Sequence, residues 1–366
     1  VKAAVLHSVG APFTVEDVVL AAPLGREVRV DVRASGLCHS DRHVQLEGLG
    51  MPFPSVLGHE ISGVVAEIGP DVTELAPGDH VVAYLVSHCG RCRDCIAGEP
   101  FRCANTDYVR RSPEQGPRIT RRNGEELAQV VDISGFAEQV LVHENNLVKV
   151  NDEIPFDRAC LLGCGVITGA GAAINTAQVR VGDTVAVIGA GGVGLNVVQG
   201  ARIAGASRII AIDLQDEKLE LARRFGATHT INSGSVDDVV AAVAEIAGTA
   251  GVDHSFEVIG LVPTVRLALD VLRPGGTAYA IGLQKPGAQL ALDGAPDLFP
   301  LQKSLKGVFM GSTNPKRDIP VYADLYLQGR LNLDDLIHNH ISLDGINEAY
   351  EELEGGKVAR SIIVFD

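Results

Sequence analysis

The stretch HCGRCRDCIAGEPFRC, residues 88–103, sets Cys89, Cys92, Cys95 and Cys103 within fifteen positions. Four thiols this close serve disulfides, a C-x-x-C redox pair or a tetrahedral metal site. The chain has seven cysteines in all, the others being Cys38, Cys160 and Cys164. An odd count clustered in this way is a poor disulfide framework but suits a metal inventory. Cys38, His59 and Cys164 are far apart in sequence, yet each sits beside a glycine or in a turn-rich segment: SGLCHSDRH, GHEISGVV and LLGCGVITG. Two thiolates, one imidazole and an open position make a known type of catalytic zinc site. The thiolates offset the metal's charge, and the vacant position takes a substrate oxygen. Taken singly, each residue also reads as a core cysteine or a turn histidine.

A second kind of chemistry is written at residues 189–194, where G-x-G-x-x-G falls on Gly189, Gly191 and Gly194. Gly189 allows a tight turn, Gly191 lets a pyrophosphate approach the backbone, and Gly194 lets helix and strand pack closely. The N-terminus of the helix that follows offers free N–H groups and a favourable dipole to phosphate, and Gly192 and Val193 within the motif are expected to meet the cofactor too. Asp213, 19 residues after Gly194, stands where an acid accepts hydrogen bonds from an adenosine ribose. That carboxylate repels a 2′-phosphate, so NAD is expected rather than NADP.

These residues need elements to hold them. From residue 181 the sequence alternates buried-strand runs (DTVAVIG, SRIIAID, THTIN, VDHSFEVIG, GTAYAIG) with helical ones (LNVVQGARIAGA, EKLELARRFG, VDDVVAAVAEIAG, VPTVRLALDVLR). Alternation of this kind predicts a doubly wound parallel sheet covered on both faces, an α/β Rossmann arrangement. Before residue 160 the text changes to irregular strands, turns and many glycines.

The whole chain, 366 residues with 46% hydrophobic and 21% charged, is long enough for two ordinary domains. A formal charge of −15 argues against nucleic-acid binding, because a polyanion is repelled at long range. Neither a secretory signal nor an apolar run of bilayer length is visible, so no membrane association and a cytoplasmic protein are expected.

Taken together, GLCHSD, GHE, the four-cysteine run, GCGVITG, GAGGVG and AID match in order and separation. On them the chain resembles the zinc-dependent alcohol dehydrogenases of the medium-chain dehydrogenase/reductase family over essentially its full length. The resemblance implies a GroES-like, mainly β catalytic domain of residues 1–165 and 308–366, and a Rossmann NAD-binding domain of 166–307. It implies two zinc ions per chain. Cys38, His59 and Cys164 would hold the catalytic zinc, and Cys89, Cys92, Cys95 and Cys103 a structural one in a lobe of residues 88–104, with Arg91, Arg93 and Arg102 placed to offset its charge. Asp41 would fix the tautomer of His59, with Glu60 close behind the metal. Ser40 would take the proton of the alcohol, and His43 would deliver it to solvent after it passes the coenzyme ribose. His39 would meet the pyrophosphate, Arg360 a second phosphate, and Lys218 the adenosine ribose. Cys160 is left over, a small core hydrophobe.

The family also implies an activity, the reversible oxidation of an alcohol to an aldehyde with NAD. By position, Leu49, Leu85, Tyr108, Val130, Val131 and Leu283 should line the substrate cleft, which favours apolar or aromatic primary alcohols. A rival within the family oxidises the formaldehyde adduct of a thiol such as glutathione or mycothiol. A rival of another class is a non-catalytic nucleotide binder or redox sensor. About thirty residues separate Cys103 from GFAEQVLV, a long loop that in this family accompanies homodimers. In such dimers GTAYAIG would be an edge strand pairing with its twin.

Overall fold

The computed structural model describes residues 1–248, 251–294, 297, 299–354 and 360–365. The chain divides into two compact units, Val1–Cys164 with Asn314–Asp366, and Gly165–Thr313.

The first unit is mainly β. A five-stranded sheet runs in the order Ile119–Arg121, Phe13–Leu20, Lys2–Leu6, Ser55–Val56, Ala128–Gln129. A seven-stranded sheet is centred on the strand Glu27–Gly36, which pairs antiparallel with Glu60–Ile68, Gln139–His143 and Ser361–Val364. Val28, Val30, Val32 and Ala34 alternate inward along the central strand, the period expected of a pleated strand with one face on a core. Gly63 lies opposite it, where a β-carbon would stand 2.1 Å from the carbonyl oxygen of Asp31. The last strand pairs Ile362 with Gly36 and Ile363 with Ser35, so the C-terminal segment completes the sheet that begins near the N-terminus.

The second unit is a six-stranded parallel sheet in the order His229–Asn232, Arg208–Asp213, Thr184–Ile188, Val252–Glu257, Leu272–Ala280, Ser304–Gly307. Numbered along the chain this is 3-2-1-4-5-6, the dinucleotide-binding order. The helix Asp216–Phe225 shows why its sequence folds so. Leu219, Ala222 and Phe225 are buried at a spacing of three, acids fill its first turn and arginines its last, and Gly226 ends it in a left-handed conformation.

Two expectations change. The first five residues of GTAYAIG lie in the strand Leu272–Ala280, which is paired on both sides, so it is interior and the edge is Ser304–Gly307. The sequence run held no obvious strand beyond it, because all four residues of that edge strand are exposed and carry no buried-strand pattern. The segment 308–313 also belongs to the parallel-sheet unit rather than to the β unit. Met310, Gly311 and Ser312 all take left-handed backbone angles. The turn they make packs so closely on the helix Gly165–Gly171 that a β-carbon on Gly171 would lie 2.7 Å from the oxygen of Gly311.

Candidate active site

In the β unit, ligand atoms of Cys38, His59, Glu60 and Cys164 all lie within 4.8 Å of one another, and all four residues are buried. Each is delivered by a different local device. Cys38 is the N-cap of the helix His39–Glu47, where the helix dipole favours a thiolate. His59 follows Gly58, whose φ of +93° and lack of a β-carbon let the chain press on Phe136. Cys164 follows Gly163, where a β-carbon would stand 2.2 Å from the oxygen of Ala83, so the turn lies directly on the strand His80–Ala83. Tyr350, fully buried and stacked on Phe13, brings its hydroxyl 3.5 Å from the carbonyl oxygen of Cys38.

The electrostatics suit a divalent cation. Cys164 and His59 hold the Cys38 thiol well below its ordinary pKa, against the effect of burial. Contact with Cys38, together with burial, raises that of Cys164. Burial opposes charge on His59, but Asp41, with Oδ2 3.1 Å from Nδ1, outweighs it and raises the imidazole well above 6.5. Asp41 also accepts a hydrogen bond from the N–H of Gly58, tying the carboxylate to the turn that carries His59. Burial pushes Glu60 up to about 7, although Arg360 lies 3.4 Å away. The second carboxylate oxygen of Glu60 is buried with no hydrogen-bond partner among the described residues. Two thiols, an imidazole and a carboxylate converging in one buried place form a donor set that fits zinc. Sequence reasoning put Glu60 behind the metal; the fold brings its carboxylate into the donor set itself.

The helix His39–Glu47 carries the remaining expected residues. The Ser40 hydroxyl stands 3.2 Å from Cys38 Sγ and 3.5 Å from His59 Nε2. His43, one turn later, is partly exposed, with Nδ1 3.4 Å from Glu47. His39 is exposed on the first turn. Arg360, expected at a phosphate, is 5% exposed and sits against Glu60.

The four-cysteine run closes into a second cluster. Its sulfurs are 3.5 Å (Cys92–Cys95), 3.6 Å (Cys89–Cys103) and 3.8 Å (Cys92–Cys103) apart. A tetrahedron with zinc–sulfur bonds of about 2.3 Å has edges of about 3.8 Å, whereas disulfide sulfurs sit about 2.0 Å apart. All seven cysteines are free. N–H groups of Cys89, Cys92 and Asn105 point at the sulfurs, satisfying charge on thiolates. Those of Arg91 and Cys92 bring the Cys89 thiol down to about 6 in spite of burial. The nearby arginines have other partners: Arg91 covers the Tyr108 ring and Arg102 pairs with Glu99.

In the parallel-sheet unit the glycine turn has the geometry its sequence requires. Gly189 has φ +104°, and a β-carbon on Gly194 would stand 1.9 Å from the oxygen of Gly189. At Gly191 a β-carbon would meet nothing within 4 Å, so the turn is open on that side. Gly191 caps the helix Gly192–Ala204 without any side-chain bond, leaving that N-terminus available. Asp213 accepts hydrogen bonds from the N–H groups of Ala190, Leu214 and Gln215, locking the strand end to the glycine turn. Lys218 is partly exposed in the first turn of the next helix.

Comparison with known proteins decides the family. Residues 25–152 match the alcohol dehydrogenase GroES-like domain and residues 192–328 the zinc-binding dehydrogenase domain. The chain is 36% identical to an S-(hydroxymethyl)glutathione dehydrogenase of Paracoccus denitrificans, covering all of this chain and 99% of the relative. It is 39% identical to an NDMA-dependent alcohol dehydrogenase of Amycolatopsis methanolica, over 99% of this chain and 98% of that one. It belongs to the zinc-dependent alcohol dehydrogenases of the medium-chain dehydrogenase/reductase family. The fold agrees. A benzyl alcohol dehydrogenase from Acinetobacter calcoaceticus superposes with a TM-score of 0.91 at 37% identity, over all of this chain and 99% of that one. This dehydrogenase is accordingly an NAD-dependent zinc oxidoreductase.

The residues expected around the substrate are dispersed. Val130 is 3% exposed in a core cluster with Leu57, Phe136 and Tyr350. Tyr108 flanks the cysteine lobe between Arg91 and His143. Leu85 packs with Val131 on the core of the larger sheet, while Leu49 and Leu283 are exposed. A packed core and a pocket wall have the same composition, so sequence position does not tell them apart. Sequence reading also missed Tyr350, since a lone tyrosine in a C-terminal helix carries no signal of what it touches.

Proposed function

We propose that this dehydrogenase oxidises apolar or aromatic primary alcohols to aldehydes, and the reverse, without a thiol cofactor. Cys38, His59 and Cys164 would hold the catalytic zinc, and Cys89, Cys92, Cys95 and Cys103 the structural one. Bound zinc supplies Lewis acidity that lowers the pKa of an alcohol hydroxyl, and NAD takes up the hydride. Asp41 keeps Nε2 of His59 turned to the donor set by holding Nδ1. Ser40 Oγ, within 3.5 Å of both Cys38 and His59, is placed to accept the substrate proton. His43, three residues on along the helix and partly open to water, passes it to solvent. Gly189, Gly191, Gly192, Val193 and Gly194 would take the pyrophosphate, and Asp213 with Lys218 the adenosine ribose.

The observation that carries the reading is the buried set Cys38, His59 and Cys164 with the Ser40 hydroxyl beside it. A cavity of about 680 Å³ elsewhere in the β unit is walled by Met51, Leu127, Val131, three prolines, three arginines and the acids Glu126 and Asp132. Its three arginines are already committed: Arg110 to Asp107 and Asp132, Arg111 and Arg118 to the buried Glu27. A thiol adduct bearing carboxylates would find those cations paired. Two curated relatives are named for class-3 or glutathione-adduct activity, which supports the thiol-dependent alternative. Purified enzyme given NAD and benzylic and aliphatic primary alcohols, with no thiol, should form NADH through many turnovers. Turnover confined to a hydroxymethyl-thiol adduct would select the alternative, and a single-turnover burst would indicate retained NADH.

The assembly that fits is a homodimer joined through the edge strand Ser304–Gly307. All four of its residues are exposed, and Phe309 just beyond it is 55% exposed. An open strand edge with Leu305 exposed on it and Phe309 exposed beside it invites pairing with a second copy.

A further inference from the structure

Glu257, the last residue of the strand Val252–Glu257, is 0% exposed. Its Oε1 accepts hydrogen bonds from the N–H groups of Ile259 (2.9 Å) and Gly260 (2.7 Å) and lies 2.7 Å from the Thr264 hydroxyl. Oε2 is buried with no partner among the described residues. Its main-chain oxygen accepts from Ile281 and Gly282. One residue therefore joins a strand end, the N-terminus of the helix Val262–Asp270 and the turn that follows the next strand. The two turns touch backbone to backbone. Gly260 has φ +92° and would carry a β-carbon 2.4 Å from the oxygen of Leu283, and one on Gly282 would stand 2.1 Å from the nitrogen of Gly260.

The same turn is the wall against which the glycine turn rests. The N–H of Val258 donates to the carbonyl of Ile188, and a β-carbon on Gly189 would meet Ile259 at 2.7 Å and Val258 at 3.0 Å. Beside this wall three large apolar side chains are exposed at the carboxyl end of the parallel sheet: Ile259 (46%), Leu261 (52%) and Leu283 (56%). Carboxyl ends of such strands are where dinucleotides bind. The Thr264 hydroxyl that meets this carboxylate lies in the first turn of the helix Val262–Asp270.

We infer that Glu257 is a positioning residue for the dinucleotide: it sets the height of the Val258–Leu261 wall against the glycine turn and keeps the apolar rim in place. The inference rests on the reading that Gly189–Gly194 and Asp213 form the NAD site. Alanine removes the acceptor, so the wall relaxes and the cofactor loses a preformed surface. Glutamine keeps an oxygen for the same three donors.

The test is NADH affinity by fluorescence titration of the zinc-loaded enzyme, with zinc content and thermal midpoint measured alongside. Glu257→Ala should raise the NADH Kd and the KM for NAD about tenfold, with two zincs per chain, an unchanged alcohol KM and no fall in kcat at saturating NAD. Glu257→Gln should recover to within about threefold of the parent. Thr264→Val, which removes one donor and spares the buried carboxylate, should weaken NADH about threefold even if the alanine variant fails to fold. An unchanged Kd in folded Glu257→Ala, or in Thr264→Val where that variant does not fold, overturns the inference. So does an equal loss of kcat, alcohol KM and stability in Ala and Gln alike. Asp213→Ala separates the two readings. If it weakens NADH while Glu257→Ala does not, only the inference fails; if neither does, the site reading fails with it.

Discussion

At the scale of residues, the site is a set of donors made costly to bury and then given a common purpose. Cys38, His59, Glu60 and Cys164 are all buried, and a charged donor without a counterion in such a place is expensive. Asp41 is what orients the imidazole, so Asp41→Asn should lower zinc affinity about 10- to 100-fold. Chelator competition at the catalytic site would show it, with the four-cysteine site unaffected. His43 is proposed to act differently, as the partly exposed end of the proton path. His43→Gln should lower kcat by up to about 10²-fold and flatten its pH profile, and small imidazole buffers should restore part of the rate. A parent-like profile in that variant would remove His43 from the proton path. Most of these residues were legible in the sequence because metal ligands and their holders come as short motifs. Arg360 was not: its position against Glu60 depends on a C-terminal strand pairing with residues three hundred positions away.

At the scale of elements, the fold supplies turns rather than bulk. Gly58, Gly163 and Gly194 each stand where a β-carbon would strike backbone or an aromatic ring, and Gly189 where it would strike the Ile259 and Val258 side chains. The parallel sheet was readable because strands and helices alternate with different periods, and its first helix begins at the glycine motif as expected. The edge strand was not readable, since Ser304–Gly307 buries none of its residues and so shows no period. Another element carries a pH dependence. His143 closes the strand Gln139–His143, and its Nδ1 accepts from the N–H of Asn145 to cap the next turn. Burial, helped by Arg26 and Arg118, lowers its pKa to about 4 from 6.5. A base depressed on folding contributes stability that is complete above about 6.5 and lost as pH falls towards 4, because the unfolded chain takes up the proton first. Thermal midpoints should therefore fall across that window, and His143→Gln should flatten the decline specifically there. A decline unchanged in the variant would place the acid sensitivity elsewhere.

At the scale of the whole molecule, two units bring two chemistries to one chain. The β unit gathers both cysteine clusters and the helix His39–Glu47; the parallel-sheet unit holds the glycine turn and Asp213. The net charge of −15 does not prevent an anionic cofactor from binding, because the donors at Gly191 and the following helix N-terminus are local. The exposed strand Ser304–Gly307 predicts the assembly. Leu305→Glu combined with Phe309→Glu should halve the sedimenting mass from two chains to one, and an unchanged mass would exclude this edge as the interface. The account depends most on the buried donor set, and metal analysis tests it directly. Parent enzyme should contain two zincs per chain. His59→Ala should contain one, with NADH affinity retained and turnover reduced about 10³-fold or more, the scale of several kcal/mol of lost Lewis-acid stabilisation. Two zincs or undiminished turnover in His59→Ala would contradict the assignment of Cys38, His59 and Cys164 as the catalytic metal site.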